Sequence, residues 1–238
     1  MRIIIILQNK GYMENYNKQY KDFQKFALSK GISTNTLDEY NKYRFKNYIN
    51  PMILEERNSN IASIDIFSRL QVDRILFLNT EVCAEAINVL AAQMLWLEQQ
   101  SDSDISLYCS SPGGEIYEGL KLIDVMDFIK PDVSTVCMGM VASMASVIAN
   151  CGTKGKRYIL PRSRYLIHQP LSGVSGQVTD MKIHVEEAEK LKEELYRLFE
   201  QNTNLSYEEI WNMCERDNIL TAQQAVDYGF VDKIIGIS

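Results

Sequence analysis

From about residue 50 onward, short apolar runs alternate with longer helical patterns, and this alternation restricts the possible fold more than any other feature. Strands are predicted over residues 74–78, 105–109 and 133–138, and helices over residues 82–98 and 115–129. Short strands that alternate with helices favour a single α/β domain. At 238 residues, 46% of them hydrophobic, the chain is long enough to bury one sizeable core.

The second half of the chain continues the same pattern around one long helix, predicted over residues 177–201. Apolar side chains recur along it at helical spacing, and Glu186–Lys190 and Glu193–Arg197 are predicted as ion pairs one turn apart. The other predicted elements are a helix over 142–150, strands over 157–160, 164–168 and 218–220, a helix over 221–228 and a final strand.

Residues 1–49 differ from the rest and are interpreted as an N-terminal extension ahead of a domain that covers residues 50–238. The extension is rich in Tyr and Asn, and a helix is predicted over residues 17–30. The apolar run at residues 3–7 is shorter than the roughly seven residues that a signal peptide needs. A stray strand, or leader residues upstream of a start at Met13, both stay open for this run.

Charge and motif content exclude several classes of function. Residues 1–50 hold nine Lys or Arg and four Asp or Glu, so the rest of the chain is more acidic than the net charge of −6, which disfavours nucleic-acid binding. The chain has no phosphate-binding loop, no His-Glu-x-x-His and no Gly-x-Gly-x-x-Gly, so ATP hydrolysis, zinc chemistry and dinucleotide binding lack support. No apolar run approaches the roughly twenty residues of a transmembrane helix.

The five cysteines are dispersed and odd in number, which indicates reduced thiols in a cytoplasmic setting. They are interpreted as small buried hydrophobic residues.

Only two histidines are available for acid–base chemistry. His184 lies inside the long predicted helix and is interpreted as a packing residue. His168 ends a predicted strand, where α/β folds often display reactive groups, but a surface histidine without a catalytic role stays an equal alternative.

Ser143 lies in a small-residue segment between a β-rich run and a helix. A serine on such a turn is presented as a nucleophile, and the first N–H groups of the helix face the negative charge that develops in the reaction. Helix capping by Ser143 is the competing interpretation. The Gly113-Gly114 turn allows close backbone approach, so a glycine N–H of this turn and the Met144 N–H are candidates for an oxyanion hole, with an ordinary turn as the alternative.

An acidic partner for the histidine cannot be chosen from spacing among the 31 Asp and Glu residues. From roughly residue 50 to the C-terminus, however, the chain resembles the ClpP family of peptidases. Four ordered segments carry the resemblance: Ser111-Pro-Gly-Gly114 followed by Ile-Lys-Pro-Asp at 129–132, residues 133–146 around Ser143, Ile167-His-Gln-Pro-Leu171, and residues 215–232.

The resemblance implies a catalytic triad. Ser143 is then the nucleophile, His168 the general base, and Asp217 the residue that orients and stabilises the imidazolium. It also implies that Gly114 and Met144 supply the oxyanion-hole N–H groups.

The resemblance further implies that the peptide substrate lies extended along a cleft beside Ile116 and Leu171. It implies a crotonase-like fold of ββα spiral units, with the helix at 177–201 as a protruding handle. Neither a metal nor a cofactor is expected in this chain.

At the level of assembly, the resemblance implies a homo-oligomer of two stacked heptameric rings in the cytoplasm. An AAA+ unfoldase such as ClpX, ClpA or ClpC would spend the ATP and deliver unfolded proteins, with residues 51–66 at the axial pore. No nucleic acid or membrane partner is expected, and residues 1–49 are predicted to be a propeptide that is removed near residues 48–51.

Two other functions stay open beside an active serine endopeptidase. One is a structural ring subunit without activity of its own. The other is a crotonase-like enzyme that acts on acyl-CoA thioesters, which shares the oxyanion-hole chemistry but needs no Ser-His-Asp set.

Overall fold

The computed structural model of the protein describes residues 52–57, 60–171, 173 and 175–236, together with Lys25 and Ser29. The N-terminal extension and the helix predicted over residues 17–30 lie outside the described residues, apart from Lys25 and Ser29, which are both helical.

The described domain begins with an antiparallel hairpin of strands β1 (Met52–Arg57) and β2 (Asn60–Asp65). The carboxylate of Asp65 caps the helix that follows, α1 (Ile66–Val72), by accepting hydrogen bonds from two N–H groups of its first turn, each 3.1 Å long. The hairpin accounts for most of the segment 51–66.

A seven-stranded sheet forms the centre of the domain. Five of its strands run parallel and lie side by side in the order β3 (Ile75–Leu78), β4 (Ile105–Ser111), β5 (Val133–Ala142), β6 (Arg157–Ile159) and β9 (Lys233–Ile234). Two more strands branch from this row. Strand β7 (Arg164–Ile167) pairs parallel with β5 and antiparallel with β8 (Asn218–Thr221).

Strand β5 belongs to both parts of the sheet. Its residues 135–137 pair with β6, and its residues 140–142 pair with β7. Gly139 lies between the two stretches with a φ of 60°, a conformation that glycine adopts without steric cost. The prediction that this region becomes helical at residue 142 is wrong, because β5 continues to Ala142 and the next helix starts at Met144.

Six helices follow α1, and the long ones match their predictions to within two residues at each end. They are α2 (Ala84–Gln100), α3 (Ile116–Phe128), α4 (Met144–Asn150), α5 (Val178–Asn202), α6 (Tyr207–Cys214) and α7 (Ala222–Asp227). Every residue of α4 is buried, so this short helix lies inside the core with α3 and α5 packed against it. The mixture of parallel strands and covering helices confirms the predicted α/β class and agrees with the ClpP fold.

Helix α5 has two dissimilar halves. Leu195 and Phe199 in its second half are buried in the core, whereas Val178 and Ile183 in its first half are 65% and 59% exposed. The first half therefore presents apolar side chains to solvent, as a protruding helix does. The predicted pair Glu193–Arg197 is present at 3.6 Å.

The second predicted pair on α5 is wrong. Lys190 lies 3.7 Å from Glu187, three residues before it, and forms no ion pair with Glu186 in the part of the chain that the structure describes. Residues three apart are also neighbours on a helix surface, so the two geometries compete for the same flexible lysine.

A buried arginine joins the end of the chain to two of these helices. The guanidinium of Arg157 is 2% exposed and forms a two-point ion pair with Asp232, with distances of 2.6 Å and 3.0 Å. Its remaining N–H groups donate to the carbonyl oxygens of Asn150 and Asn202, at the ends of α4 and α5. Arg157 thereby holds the C-termini of both helices against strands β6 and β9.

Candidate active site

Ser143 occupies the turn between strand β5 and helix α4 in a strained backbone conformation. Its φ is 54° and its ψ is −130°, values that a residue with a side chain seldom adopts and that cost about 1–3 kcal/mol. Its N–H donates to the carbonyl oxygen of Leu166 in β7 over 3.0 Å, so the neighbouring strand holds the turn in place. Strain of this kind is concentrated at functional sites.

The capping interpretation of Ser143 is wrong. Ser143 precedes the first residue of α4, but its side chain makes no capping hydrogen bond. Its carbonyl oxygen instead accepts hydrogen bonds from the N–H and the hydroxyl of Ser146, at 2.9 Å and 2.6 Å. The hydroxyl of Ser143 therefore makes no hydrogen bond to the first turn of the helix.

His168 and Asp217 lie where strands β7 and β8 meet. The antiparallel register of these strands ends with Ile167 opposite Asn218, so His168 and Asp217 occupy the next pair of positions along the ladder. Facing residues of antiparallel strands have Cα atoms about 4.5–5.5 Å apart. Just beyond, the side-chain amide of Gln169 donates to the carbonyl oxygen of Glu215 over 2.9 Å and keeps the two segments together.

Ser143 and His168 thus directly follow strands β5 and β7, and Asp217 directly precedes strand β8, so all three lie at the same edge of these adjacent strands. Among the described residues, no hydrogen bond yet joins the three side chains. Hydrogen bonds of catalytic residues are often long without substrate and shorten in the complex. The backbone register places the three residues on adjacent strands.

The Gly113-Gly114 turn packs directly against the nucleophile segment. A methyl group placed on Gly113 would lie 2.6 Å from the Cβ of Ser143 and 2.9 Å from the N of Met144. Gly113 also has a φ of 91°, so both the space and the backbone require glycine.

Two residues of the cavity wall, Gly114 and Met144, have backbone N–H groups that the neighbouring secondary structure does not use. Gly114 bridges Val82, but the hydrogen bonds of that bridge use the carbonyl oxygen of Gly113 and the N–H of Glu115, each 2.8 Å long. The N–H of Gly114 is left out of this bridge. Met144 is the first residue of α4, where an N–H has no partner inside the helix.

A cavity of about 280 Å³ opens beside Ser143. Its walls include His168, both glycines of the turn, Met144, Ile116 and Leu171. Asp217 is not part of the lining. The cavity therefore brings together a hydroxyl, an imidazole and two backbone N–H groups, the components of an acyl-transfer site.

Comparison with known protein families identifies the family of this chain. The model of the Clp protease family matches residues 57–238. The chain belongs to the Clp protease family.

Curated relatives cover nearly the whole chain. A protein of Bacteroides fragilis is 45% identical over 216 residues, which span 90% of this chain and 98% of the relative. Proteins of Bacteroides thetaiotaomicron and Porphyromonas gingivalis are each 44% identical over 216 residues. All three are named ATP-dependent Clp protease proteolytic subunit. The chain is accordingly a serine-type peptidase of this family, as predicted.

Within this Clp protease chain, the two sequence-predicted cleft residues lie in the same cavity as Ser143. Ile116 is half-buried at the start of α3, and Leu171 is 87% exposed beyond β7. They follow the two segments that carry Gly114 and His168.

Sequence reasoning missed five residues of the cavity that lie outside the four resembling segments. Helix α5 contributes Leu195, Tyr196 and Phe199 and helix α4 contributes Val147, which form a largely apolar wall, and Glu81 adds an acidic residue. The apolar periodicity of α5 marked its buried face but not which part of that face borders a cavity. Nothing in the local sequence around Glu81 distinguishes it from a solvated loop residue.

The remaining histidine and the cysteines take no part in this site. His184 is exposed on the first half of α5, so its interpretation as a packing residue is wrong for the single chain. Cys109, Cys137 and Cys214 are buried, and Cys83 and Cys151 are partly buried. Burial raises the pKa of Cys109 and Cys151 to about 12, which keeps both thiols protonated and unreactive.

The described residues contain no group of three or more His, Cys, Asp or Glu side chains placed to hold a metal ion. None of the helices in the described part of the chain is both long and apolar enough to cross a membrane.

Proposed function

We propose that this peptidase cleaves peptide bonds with Ser143, His168 and Asp217 as its catalytic triad. The observation that carries the proposal is the strained Ser143 at the end of β5, in one cavity with His168, which ends the neighbouring strand β7. No other serine of the described chain combines a positive φ with a histidine in the same cavity.

In the proposed mechanism, the hydroxyl oxygen of Ser143 attacks the scissile carbonyl carbon while His168 accepts the hydroxyl proton. Asp217 holds the imidazole in the correct tautomer and stabilises its charged form. The N–H groups of Gly114 and Met144 stabilise the oxyanion. The imidazolium then donates its proton to the leaving amine, and a water molecule activated by His168 hydrolyses the acyl-enzyme.

The substrate is proposed to be an unfolded polypeptide that binds in an extended conformation. Its backbone would lie between the segment that leads into Ile116 and the segment that contains Leu171, as an added strand. Because such binding uses main-chain hydrogen bonds, it tolerates many side chains, as degradation of varied proteins requires.

The relatives are named as proteolytic subunits of an ATP-dependent protease, so the chain is proposed to work with an ATPase in an oligomeric assembly. We further propose two stacked heptameric rings, an AAA+ unfoldase such as ClpX, ClpA or ClpC that uses the ATP, and a cytoplasmic location. The exposed apolar side chains of α5 support a role in ring contacts, because isolated apolar patches on a protruding helix favour association.

Residues 1–49 are proposed to be a propeptide that is removed near residues 48–51, which leaves the hairpin β1–β2 close to the new terminus. N-terminal sequencing of the active particle tests this proposal. Intact residues 1–49 on its subunits would contradict it.

The test of the catalytic proposal is hydrolysis of a short fluorogenic peptide by the purified chain and by its Ser143→Ala variant. Hydrolysis by the wild type that is lost in the variant, together with labelling of Ser143 by a fluorophosphonate probe, is the expected result. Equal rates in both proteins would refute Ser143 as the nucleophile. Absence of hydrolysis in the wild-type assembly after removal of residues 1–49 would favour a structural subunit, in which the hydrogen bonds of the triad never close.

A further inference from the structure

The catalytic cavity contains one carboxylate that the mechanism above does not use. Glu81 lies in the loop between strand β3 and helix α2, next to Val82, whose backbone bridges Gly114. The side chain of Glu81 lines the cavity together with Ser143 and His168.

Glu81 lies close to the site of the reaction. A methyl group placed on Gly114 would come 3.0 Å from the Cγ of Glu81, so the side chain of Glu81 packs over the glycine whose N–H is the proposed oxyanion donor. A substrate residue next to the scissile bond is therefore within reach of the Glu81 carboxylate.

The charge of Glu81 is not balanced inside the cavity. The lining contains no Lys or Arg, and Glu81 makes no ion pair or side-chain hydrogen bond with the residues that the structure describes. Two other carboxylates differ in this respect: Glu118 pairs with Lys121, and Glu187 accepts a hydrogen bond from Tyr117 over 3.1 Å. Glu81 is available to a cation that the substrate brings.

The other walls of the cavity suit the same substrate residue. Leu195, Phe199 and Val147 form an apolar surface. Lysine and arginine side chains have long aliphatic stems that pack on apolar surfaces while their charged ends reach a polar group. An apolar wall with a carboxylate at the rim matches this combination.

We infer that Glu81 is a specificity-determining residue that favours Lys or Arg beside the scissile bond of the substrate. This inference rests on the proposed peptidase site around Ser143. The catalytic steps do not require it, because peptides without a basic residue use the same nucleophile and the same oxyanion hole.

The test compares internally quenched peptides that are identical except for one residue, lysine or Nε-acetyl-lysine, at the position before or after the scissile bond. Acetylation keeps the length of the side chain and removes its charge. An ion pair that is partly open to solvent changes a rate by about two- to five-fold. We expect kcat/KM of the wild-type assembly to be higher for lysine by that factor at one of the two positions, and the ratio to fall toward one in 0.5 M salt.

The variant Glu81→Gln should abolish this ratio while cleavage of the acetyl-lysine peptides continues, and Glu81→Lys should invert it. Glu115→Gln is the matched control, because Glu115 is an exposed carboxylate beside Gly114 that does not line the cavity. Its lysine to acetyl-lysine ratio should equal that of the wild type.

Three results would overturn the inference. They are equal rates for lysine and acetyl-lysine peptides in the wild type, an equal loss of the ratio in Glu115→Gln, or a uniform change for all peptides in Glu81→Gln. Failure of the wild type to cleave any peptide would instead refute the proposed function on which the inference rests, so the two failures are distinguishable.

Discussion

The ion pair between Arg157 and Asp232 offers a direct test of what holds helices α4 and α5 against the sheet. One oxygen of Asp232 accepts three hydrogen bonds, from the N–H groups of Gly155 and Arg157 and from the Nε of Arg157, at 2.7, 2.9 and 3.0 Å. The other oxygen accepts from the guanidinium at 2.6 Å. In Asp232→Asn, an amide NH₂ group must face one of these donors whichever way the amide is turned.

Removal of one partner from a buried ion pair typically destabilises a protein by 3–5 kcal/mol. Arg157 is 2% exposed but Asp232 is 20% exposed, so water can reach the carboxylate side, and the lower end of that range applies. We expect Asp232→Asn to lower the free energy of unfolding by about 3 kcal/mol. For a domain of this size the Tm then falls by about 6–12 °C.

The assay is thermal unfolding followed by circular dichroism at matched protomer concentration, because assembly also raises the apparent Tm. Lys156→Gln is the control. Lys156 precedes Arg157 and forms ion pairs with Asp104 and Asp132 at 2.6 and 2.7 Å, but these pairs are open to solvent. Its variant should change the Tm little. A Tm decrease in Asp232→Asn no larger than that in Lys156→Gln would refute the reasoning.

Three further predictions concern pH and the catalytic turn. Burial alone would raise the pKa of Asp232, but hydrogen bonds from Arg157 lower it below its usual 3.8. The stability that this carboxylate contributes is therefore present above about pH 4 and is lost as the pH falls through its folded-state pKa. A difference in stability between the wild type and Asp232→Asn that grows in acid would contradict this. Ser143→Ala should reduce kcat by a factor on the order of 10⁵–10⁶ and leave the assembly intact on size-exclusion chromatography. Gly113→Ala should abolish hydrolysis, because the added methyl group collides with Ser143. Gly155→Ala is the control, since Gly155 has a similar φ of 87° and no atom within 4 Å of the added methyl group, so it should cost only backbone strain. Equal activities of the two variants would show that the contact between residue 113 and Ser143 does not affect hydrolysis.

Most of the secondary structure was predictable because it depends on local patterns. The apolar periodicity of residues 178–202 and the short β-rich runs identified their elements to within two residues at most ends. The errors have local causes as well. Strand β5 was predicted too short because Gly139 reads as the end of a strand, although here it bends one that continues to Ala142.

The site was predictable only in part. Ser143, His168 and the Gly113-Gly114 turn were recognisable individually, but each had a structural alternative of comparable weight. The positive φ of Ser143 decides against helix capping, and that conformation is imposed by the pairing of β5 with β7, more than twenty residues further along the chain. No local pattern carries this information.

The sequence by itself determined the α/β class, the order of the helices and strands from residue 74 onward, and the resemblance that singled out the three triad candidates. Only the tertiary structure decided that His168 and Asp217 occupy facing positions, that Arg157 anchors two helices, and that Glu81 borders the catalytic cavity. The physical reason is the range of the interactions. Helical and strand periodicity arises between residues a few positions apart, whereas strand register and cavity walls arise from packing between segments that are distant in the chain.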